Sequence, residues 1–491
     1  MGDRAWVIER ARSPTRATLD ALSAIAELDD VSASEREVLC VLRDGTARDA
    51  VIARIEAIIA SDFADGSSTS HRLSVVYDGE DLAAVARAVG ATEAQVVRWH
   101  SEREYRVSAT GFAPGWAYLA EVDERLRVAR RPSPRERVAA GSVAIADART
   151  GVYPFDGPGG WSILGSIADG WRAFDSERGA ALALGDRVRF EPTDARAVAA
   201  ARSLPYAQDT EQREGLRIEW SDAPALVQDG GRRGALRMGI ARGGALWKGR
   251  LALANAALSQ RWDAAAIELY GAARVRAEGR AIRLSIDGEV RALRDGEALS
   301  IARSERARVR YLALEGGVAC TPQLGGRGQL VRAGLGGLDH ARGRPLRRGD
   351  LISCADVASL GSAHERCEER GDLGALDESH AFDLWPGRAM DRFERDAFER
   401  FVGGTSVLSA QSDRTGARLR ETVSRRDTDA GLSSVMFAGA IQVSADGTPI
   451  VLGVDHPTVG GYPVLAVLSY AQLGPLLARR PGARVRYRLP L

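Results

Sequence analysis

The chain has 491 residues, 45% hydrophobic and 27% charged, which is too long for one ordinary core and suggests roughly three domains. Sixty-seven Lys plus Arg against 66 Asp plus Glu leave a formal net charge of +1, so no global field draws the chain to nucleic acid or to an anionic membrane. Residues 1–13 carry no apolar signal core and no run of about 18 apolar residues could span a bilayer, which leads us to expect a cytoplasmic protein.

The first 70 residues mix short strands with the helical runs 18–28 and 47–60 and read as a small α/β domain, closed by the polar stretch 61–70. Residues 71–202 begin with helical periodicity over 81–104. They then turn to short β-type runs (106–112, 141–146, 162–167, 186–192) broken by Gly and Pro, the pattern of a closed antiparallel sheet. The segment 203–215 is polar, nearly free of β-formers, and reads as an interdomain linker. A second β-rich half follows over 216–358, where 282–290, 297–302 and 308–317 alternate apolar and polar residues. A charged connector spans 359–381, and 382–491 returns to the β style, ending in a strand over 483–489. The fold class is mainly β with an α+β N-terminal domain.

Cys40, Cys320, Cys354 and Cys367 form no CxxC pair and have no His at zinc-finger spacing, so reduced thiols are expected. Arginine almost replaces lysine: Lys248 is the single lysine, a composition bias rather than a sign of phosphate recognition.

Residues 82–104 have the look of a DNA-binding helix-turn-helix, with Gly90 to end one helix and Thr92 with Gln95 as a capping box for the next. Glu93, Glu102 and Glu104 lie where a recognition helix would meet phosphates, which favours a packing pair. His100 closes the second helix. A His there commonly caps a helix C-terminus, but the turn Gly111-Phe112-Ala113-Pro114-Gly115 follows closely, and its amides could hold an anion.

Three further loops are rich in glycine. Residues 154–161, with Gly159 and Gly160, read by type as a tight barrel turn over Trp161. The loop Gln228-Asp229-Gly230-Gly231-Arg232-Arg233-Gly234 is reminiscent of a phosphate loop, but it lacks the GxxxxGK[ST] pattern, leaving Arg232 or Arg233 as anion forks. Asp413 and Arg414, then His456 and Gly460-Gly461-Tyr462, bring an acid, an anion binder and a proton shuttle to Gly-rich loops, although solvated turns use the same residue types.

Taken in order, these segments resemble the family of the 5-oxoprolinase B and C subunits, also known as allophanate hydrolase subunits 1 and 2 and as the Kip kinase inhibitor and its antagonist. The likeness to the B subunit rests on 76–82, 99–107, 111–119, Pro134-Arg135, 140–146, 150–154 and 158–161. The likeness to the C subunit rests on 227–234, Ala254-Asn255, 324–327, 343–350, 412–419, 439–443, 447–452 and 455–463. The resemblance implies two subunits fused on one chain, cyclophilin-like β-barrels in both halves and intramolecular contact between the halves, with a homo-oligomer as a further option. It implies ATP-dependent opening of 5-oxo-L-proline, ATP being used with Mg, together with a separate A subunit of lactam-utilisation type.

Under that resemblance His100, His456 and Asp413 are the catalytic candidates. Phe112, Pro114, Gly115, Gly159, Gly160, Gln228, Arg232, Arg414, Gly460, Gly461 and Tyr462 are the substrate- or phosphate-binding candidates, and no metal site is expected. The chain departs from the family pattern at Ser166, where an arginine is usual, and at Trp247, where a carboxylate is usual. Those losses keep open a non-catalytic regulatory protein of the kinase-inhibitor type. A urea-carboxylase-like biotin-dependent carboxyltransferase module is a third reading, and it would need a separate biotin carrier because no biotin attachment site occurs in this chain.

Overall fold

The computed structural model describes residues 4–490 apart from 12, 44–45, 47, 62–67, 132, 195–213, 356–366, 368, 370 and 427–432. The predicted linker therefore lies outside the described residues up to 213, as does most of the first part of the predicted connector.

At the N-terminus, strands Ala5–Glu9 and Leu28–Ala33 flank the central strand Glu37–Leu42 in an antiparallel sheet. Helices Arg16–Ser23 and Arg48–Ala60 cover it, and Leu22, Val38, Cys40 and Ile55 close the small core. Thr15 caps the first helix by accepting from the Thr18 amide at 3.1 Å, a bond worth about 1 kcal/mol.

The next region is a closed seven-stranded barrel. Its order is Ser162–Ile167, Ser70–Val76, Arg187–Pro192, Glu104–Thr110, Ala117–Ala120, Arg149–Val152 and Ser142–Ala146. Only the Ser70–Val76 and Arg187–Pro192 pair runs parallel. Alternation in Arg187–Pro192 sends Val188 and Phe190 inward and Arg187 and Arg189 to solvent, as a barrel strand requires. The suspected helix-turn-helix becomes helices Leu82–Ala88 and Glu93–Ser101, whose Leu82, Val85 and Val96 plug the barrel core. The Thr92–Gln95 capping box is formed as its spacing predicts.

The second half holds a four-stranded sheet, a five-stranded sheet and a curved seven-stranded sheet. One core joins the segments on either side of the predicted connector: Leu246, Trp247 and Tyr311 pack in the same cluster as Phe382, Phe393 and Val485. The half is therefore one lobe. Its terminal strand is Arg484–Arg488.

The N-terminal sheet docks on this second lobe rather than on the barrel alone. Glu37 pairs with Arg388 and accepts from the Val435 amide at 2.9 Å, while Asp29 receives Arg242 at 2.7 Å. The barrel meets the lobe through Gly111, where any Cβ would lie 2.6 Å from the Thr458 hydroxyl and 2.7 Å from Val459. Among the described residues no helix is long and apolar enough to cross a membrane.

Candidate functional site

Where barrel and lobe meet, they leave a cleft of about 910 Å³. The barrel contributes Phe112, Pro114 and Tyr118, and the lobe contributes Asp413, Arg414, His456, Gly460, Gly461 and Tyr462. Two loops more than 300 positions apart in sequence thus face each other. Phe112 stands at φ 68, a left-handed conformation that a bulky residue adopts only when its surroundings impose it, at a cost of about 1–3 kcal/mol. Its ring packs edge-on against Trp116 at 5.5 Å, and the turn is closed by the Trp116 amide donating to the Ala113 carbonyl.

His456 is buried at the lobe side of this cleft. Its Nδ1 lies 2.9 Å from the Pro457 carbonyl oxygen, which can only accept, so Nδ1 carries the proton and Nε2 keeps a lone pair. Burial lowers its pKa to about 4, against a smaller upward pull from the Pro457 carbonyl, so the ring is a neutral proton acceptor at pH 7.

Arg414 is less free than its sequence context suggests. It forks onto Asp455 at 2.7 and 3.1 Å, reaches Glu268 at 2.6 Å and donates to the Gly244 carbonyl at 2.6 Å. Glu268 is wholly buried and also receives the Leu246 amide and the hydroxyls of Tyr270 and Tyr311. Burial opposes the guanidinium charge, but Asp455 and Glu268 hold it well above the usual arginine range. Burial raises the Asp455 pKa despite Arg414. Arg414 therefore ties the wall of the cleft together. Asp413 is exposed, and its Oδ1 accepts from the Thr415 and Gly416 amides, which shapes the turn.

The other candidates sit elsewhere. His100 is a correction to expectation: it is fully buried inside the barrel, with Nδ1 2.7 Å from the Tyr77 hydroxyl, Nε2 2.8 Å from Thr150 Oγ1, and its ring stacked on Phe190 at 4.7 Å. Both nitrogens are occupied by the core and burial drops the pKa to about 3, so no substrate proton is within its reach. Arg232 is likewise buried, giving Nε to the Gln323 carbonyl at 3.1 Å and Nη2 to the Gly328 carbonyl at 2.6 Å. Gln228 donates to the Gln329 carbonyl in the same core. Gly115 and Gly159 give close packing, against Ala173 and Tyr153 respectively, whereas a Cβ at Gly160 would meet Pro134 at an ordinary 3.8 Å. The loop around Asp229 and Arg233 instead borders a separate polar cavity of about 290 Å³.

Arg332 and Arg418 were missed in the sequence. Both line the cleft, both are exposed, and neither forms a salt bridge among the described residues. Arg332 lies 6.0 Å from the Phe112 ring. Among the described residues they are cleft arginines without a carboxylate partner. Arg332 lies outside every segment that carried the resemblance, and Arg418 lies inside the 412–419 segment but was not singled out there. Among the described residues no cluster of three or more His, Cys, Asp or Glu could hold a metal.

A barrel docked on a curved-sheet lobe, with the working loops at their junction, defines a two-part domain, and the sequence comparisons assign it. Residues 1–183 match the family described as carboxyltransferase domain, subdomain C and D, and residues 238–489 match carboxyltransferase domain, subdomain A and B; the chain belongs to this family. It is 46% identical over 125 residues to the 5-oxoprolinase B subunit of Escherichia coli O157:H7, covering 24% of this chain and 56% of that protein. Over 274 residues it is 30% identical to the 5-oxoprolinase C subunit of Escherichia coli (strain K12), covering 52% of this chain and 86% of that protein. The match to the first of these relatives thus spans little more than half of its length. The crystal structure of TTHA0988 superposes with a TM-score of 0.83 at 27% identity, covering 99% of each chain. A fused B and C arrangement follows from the two family matches falling in order on one chain.

Proposed function

We propose that this chain is the fused B and C component of a 5-oxoprolinase, opening 5-oxo-L-proline to glutamate with ATP hydrolysis and acting with a separate A subunit. The observation that supports it most is the cleft at the junction of the two halves: each half resembles a differently named subunit of one enzyme, and the cleft takes residues from both. A lactam is an unactivated amide, so ring opening needs an activated carbonyl, a water nucleophile and a proton for the departing nitrogen. In this reading the lactam oxygen takes the terminal phosphoryl group of ATP with ADP as the leaving group, one water adds to the carbon, and the C–N bond breaks as the nitrogen is protonated, leaving an acyl phosphate. A second water then hydrolyses the acyl phosphate, releasing phosphate and the free carboxylate of glutamate. His456 Nε2 takes the proton from the attacking water and returns it to the nitrogen, while Arg332 and Arg418 hold the anionic groups of the reactants.

The test is 5-oxoproline-dependent ATP hydrolysis by the purified chain mixed with its co-encoded A subunit. His456→Ala is expected to lower kcat/KM by about 10²–10⁴-fold with the fold retained, and His100→Gln to keep the specific activity of its folded fraction. A second reading, a binding protein without turnover, has one observation in its favour. Trp247, which stands where the family carries a carboxylate, is wholly buried and gives its amide to Tyr311 at 2.9 Å. Absence of turnover under every pairing, with retained binding of a protein kinase, selects that reading.

A further inference from the structure

The second lobe carries a bare sheet edge. In its five-stranded sheet the hairpin of strands Ile282–Ile286 and Glu289–Leu293 comes last, and Glu289–Leu293 pairs with Ile282–Ile286 alone. Glu289, Val290, Arg291 and Ala292 are all exposed, and no other strand among the described residues has four exposed residues in a row. Val290 is 38% exposed and Leu253 42%, and the Leu253 Cγ lies 3.1 Å from where a Cβ on Gly288 would stand. Native edges are commonly blunted by a proline, a lysine or a bulge, and this strand has none of the three.

The register of the hairpin fixes which backbone groups face outward. Asp287 gives its amide to the Tyr311 carbonyl and Glu315 gives its amide to the Arg283 carbonyl, so Arg283 and Asp287 turn to the strand Arg310–Leu314. By alternation Ile282, Leu284 and Ile286 turn to the other side, where they oppose Leu293, Arg291 and Glu289. Those three are therefore bonded inside the hairpin, and the N–H and C=O groups of Val290 and Ala292 point away from the sheet. The Val290 carbonyl accepts from Arg291 Nη1 at 3.1 Å. Side chains alternate as well. Val290 opposes Ser285, Ser285 opposes Ala313, and Ala313 packs in one core with Leu251 and Ala254 of the helix Lys248–Ala256. Val290, Ala292 and Leu253 thus share one face of the edge, while Glu289 and Arg291, paired at 3.0 Å, share the other.

We infer that this edge is the docking surface for a second copy of the chain, joined antiparallel about a twofold axis at Val290. The outward groups restrict the ladder to even-numbered residues bonding one another, and charge then selects one register. With Val290 opposite Val290 of the second copy, the two exchange a pair of backbone hydrogen bonds, Glu289 faces Arg291 and Arg291 faces Glu289. A slip of two residues one way sets Arg291 against Arg291, and a slip the other way sets Glu289 against Glu289; both oppose like charges directly. The same register brings Ala292 across from Gly288 of the second copy, beside Leu253, which extends the apolar contact on the other face. Arg291 gives up its own Val290 carbonyl for the carboxylate across the axis. No residue of the hairpin lines the cleft, so the pairing holds whatever reaction the chain performs.

The Gly288 amide is already given to Ser285 Oγ, which keeps the new ladder short, so the dimer is expected to be weak and dependent on concentration. Sedimentation velocity of the full chain at rising concentration is expected to show a monomer–dimer equilibrium. Glu289→Arg sets Arg against Arg across the axis, and Arg291→Glu sets Glu against Glu. Each alone is expected to weaken dimerisation about tenfold or more. An equimolar mixture of the two variants is expected to associate at least as tightly as wild type, because every pair across the axis is then opposite in sign. Both side chains are exposed, so the urea midpoint of each variant is expected to stay near that of wild type. A chain that stays monomeric throughout, a dimer indifferent to both reversals, or a mixture no tighter than either variant alone overturns the inference.

Discussion

The barrel interior and the cleft wall each bury a histidine without charge, yet only one of the two rings is placed to act. His100 has both nitrogens engaged by Tyr77 and Thr150 and a ring pressed on Phe190, so the core consumes all its chemistry. His456 spends one nitrogen on a neighbouring carbonyl, and its ring lines both the cleft and a small cavity behind it. Burial and a depressed pKa are common to both; the number of free ring nitrogens separates them.

The largest effect that would sharpen this contrast is expected at Arg414. Arg414→Met leaves Glu268 and Asp455 buried beside one another without their cation, so the loss of stability is expected to be about 3–5 kcal/mol, read as a shift of the urea midpoint. His100→Gln keeps a polar group in the barrel and is expected to cost about 1–3 kcal/mol. A smaller loss for Arg414→Met than for His100→Gln would mean that the cleft wall is not held by this ion network.

The second effect is in pH dependence. His100 is neutral when folded down to about pH 3, whereas the unfolded chain protonates it near 6.5. Between those values the unfolded state binds more protons, so this residue makes stability fall as pH falls, by up to about 1.4 kcal/mol per unit. Asp30 and Glu369 act with the opposite sign, because their raised values make the folded state bind protons first, and this stabilises it as pH drops toward their unfolded range. Wild-type stability alone therefore mixes the two. The difference between wild type and His100→Gln isolates the histidine and is expected to shrink steadily from pH 6.5 toward 3; a flat difference would place a charged or exposed ring at 100.

How far the sequence reaches can be judged on the same residues. The β-type run 186–192 and the Thr92–Gln95 box were legible because they are local and their side chains answer to near neighbours. The loops holding Phe112, Asp413 and His456 were legible as Gly- and Pro-rich turns with polar content. Their meeting across one cleft was not, since it depends on Gly111 nesting against Thr458 and Val459 from the far half of the chain. Arginine roles were the least legible. Residue type makes Arg232, Arg414, Arg332 and Arg418 equal candidates, and only buried carboxylates and carbonyls show that Arg414 is tied to Asp455 and Glu268 and that Nε and Nη2 of Arg232 are spent on the Gln323 and Gly328 carbonyls. His100 misled for the same reason: a helix-end position close to a rigid turn is a statement about sequence, while the ring points into the barrel.

The smallest effect concerns those two remaining arginines and bears on the cleft alone. Arg332 and Arg418 are exposed and without salt bridges among the described residues, so removing either side chain should change stability by no more than about 0.5 kcal/mol. If they hold an anionic group of the reactants, each Arg→Ala change is expected to raise KM by roughly 3–10-fold, the equivalent of one screened charge contact, with a smaller change in kcat. Higher salt should reproduce part of that loss in the wild type and little of it in the double variant, because the charge that salt screens is then absent. A double variant with unaltered KM and unaltered salt response would remove these arginines from substrate binding and leave the cleft to His456 and the strained Phe112 turn.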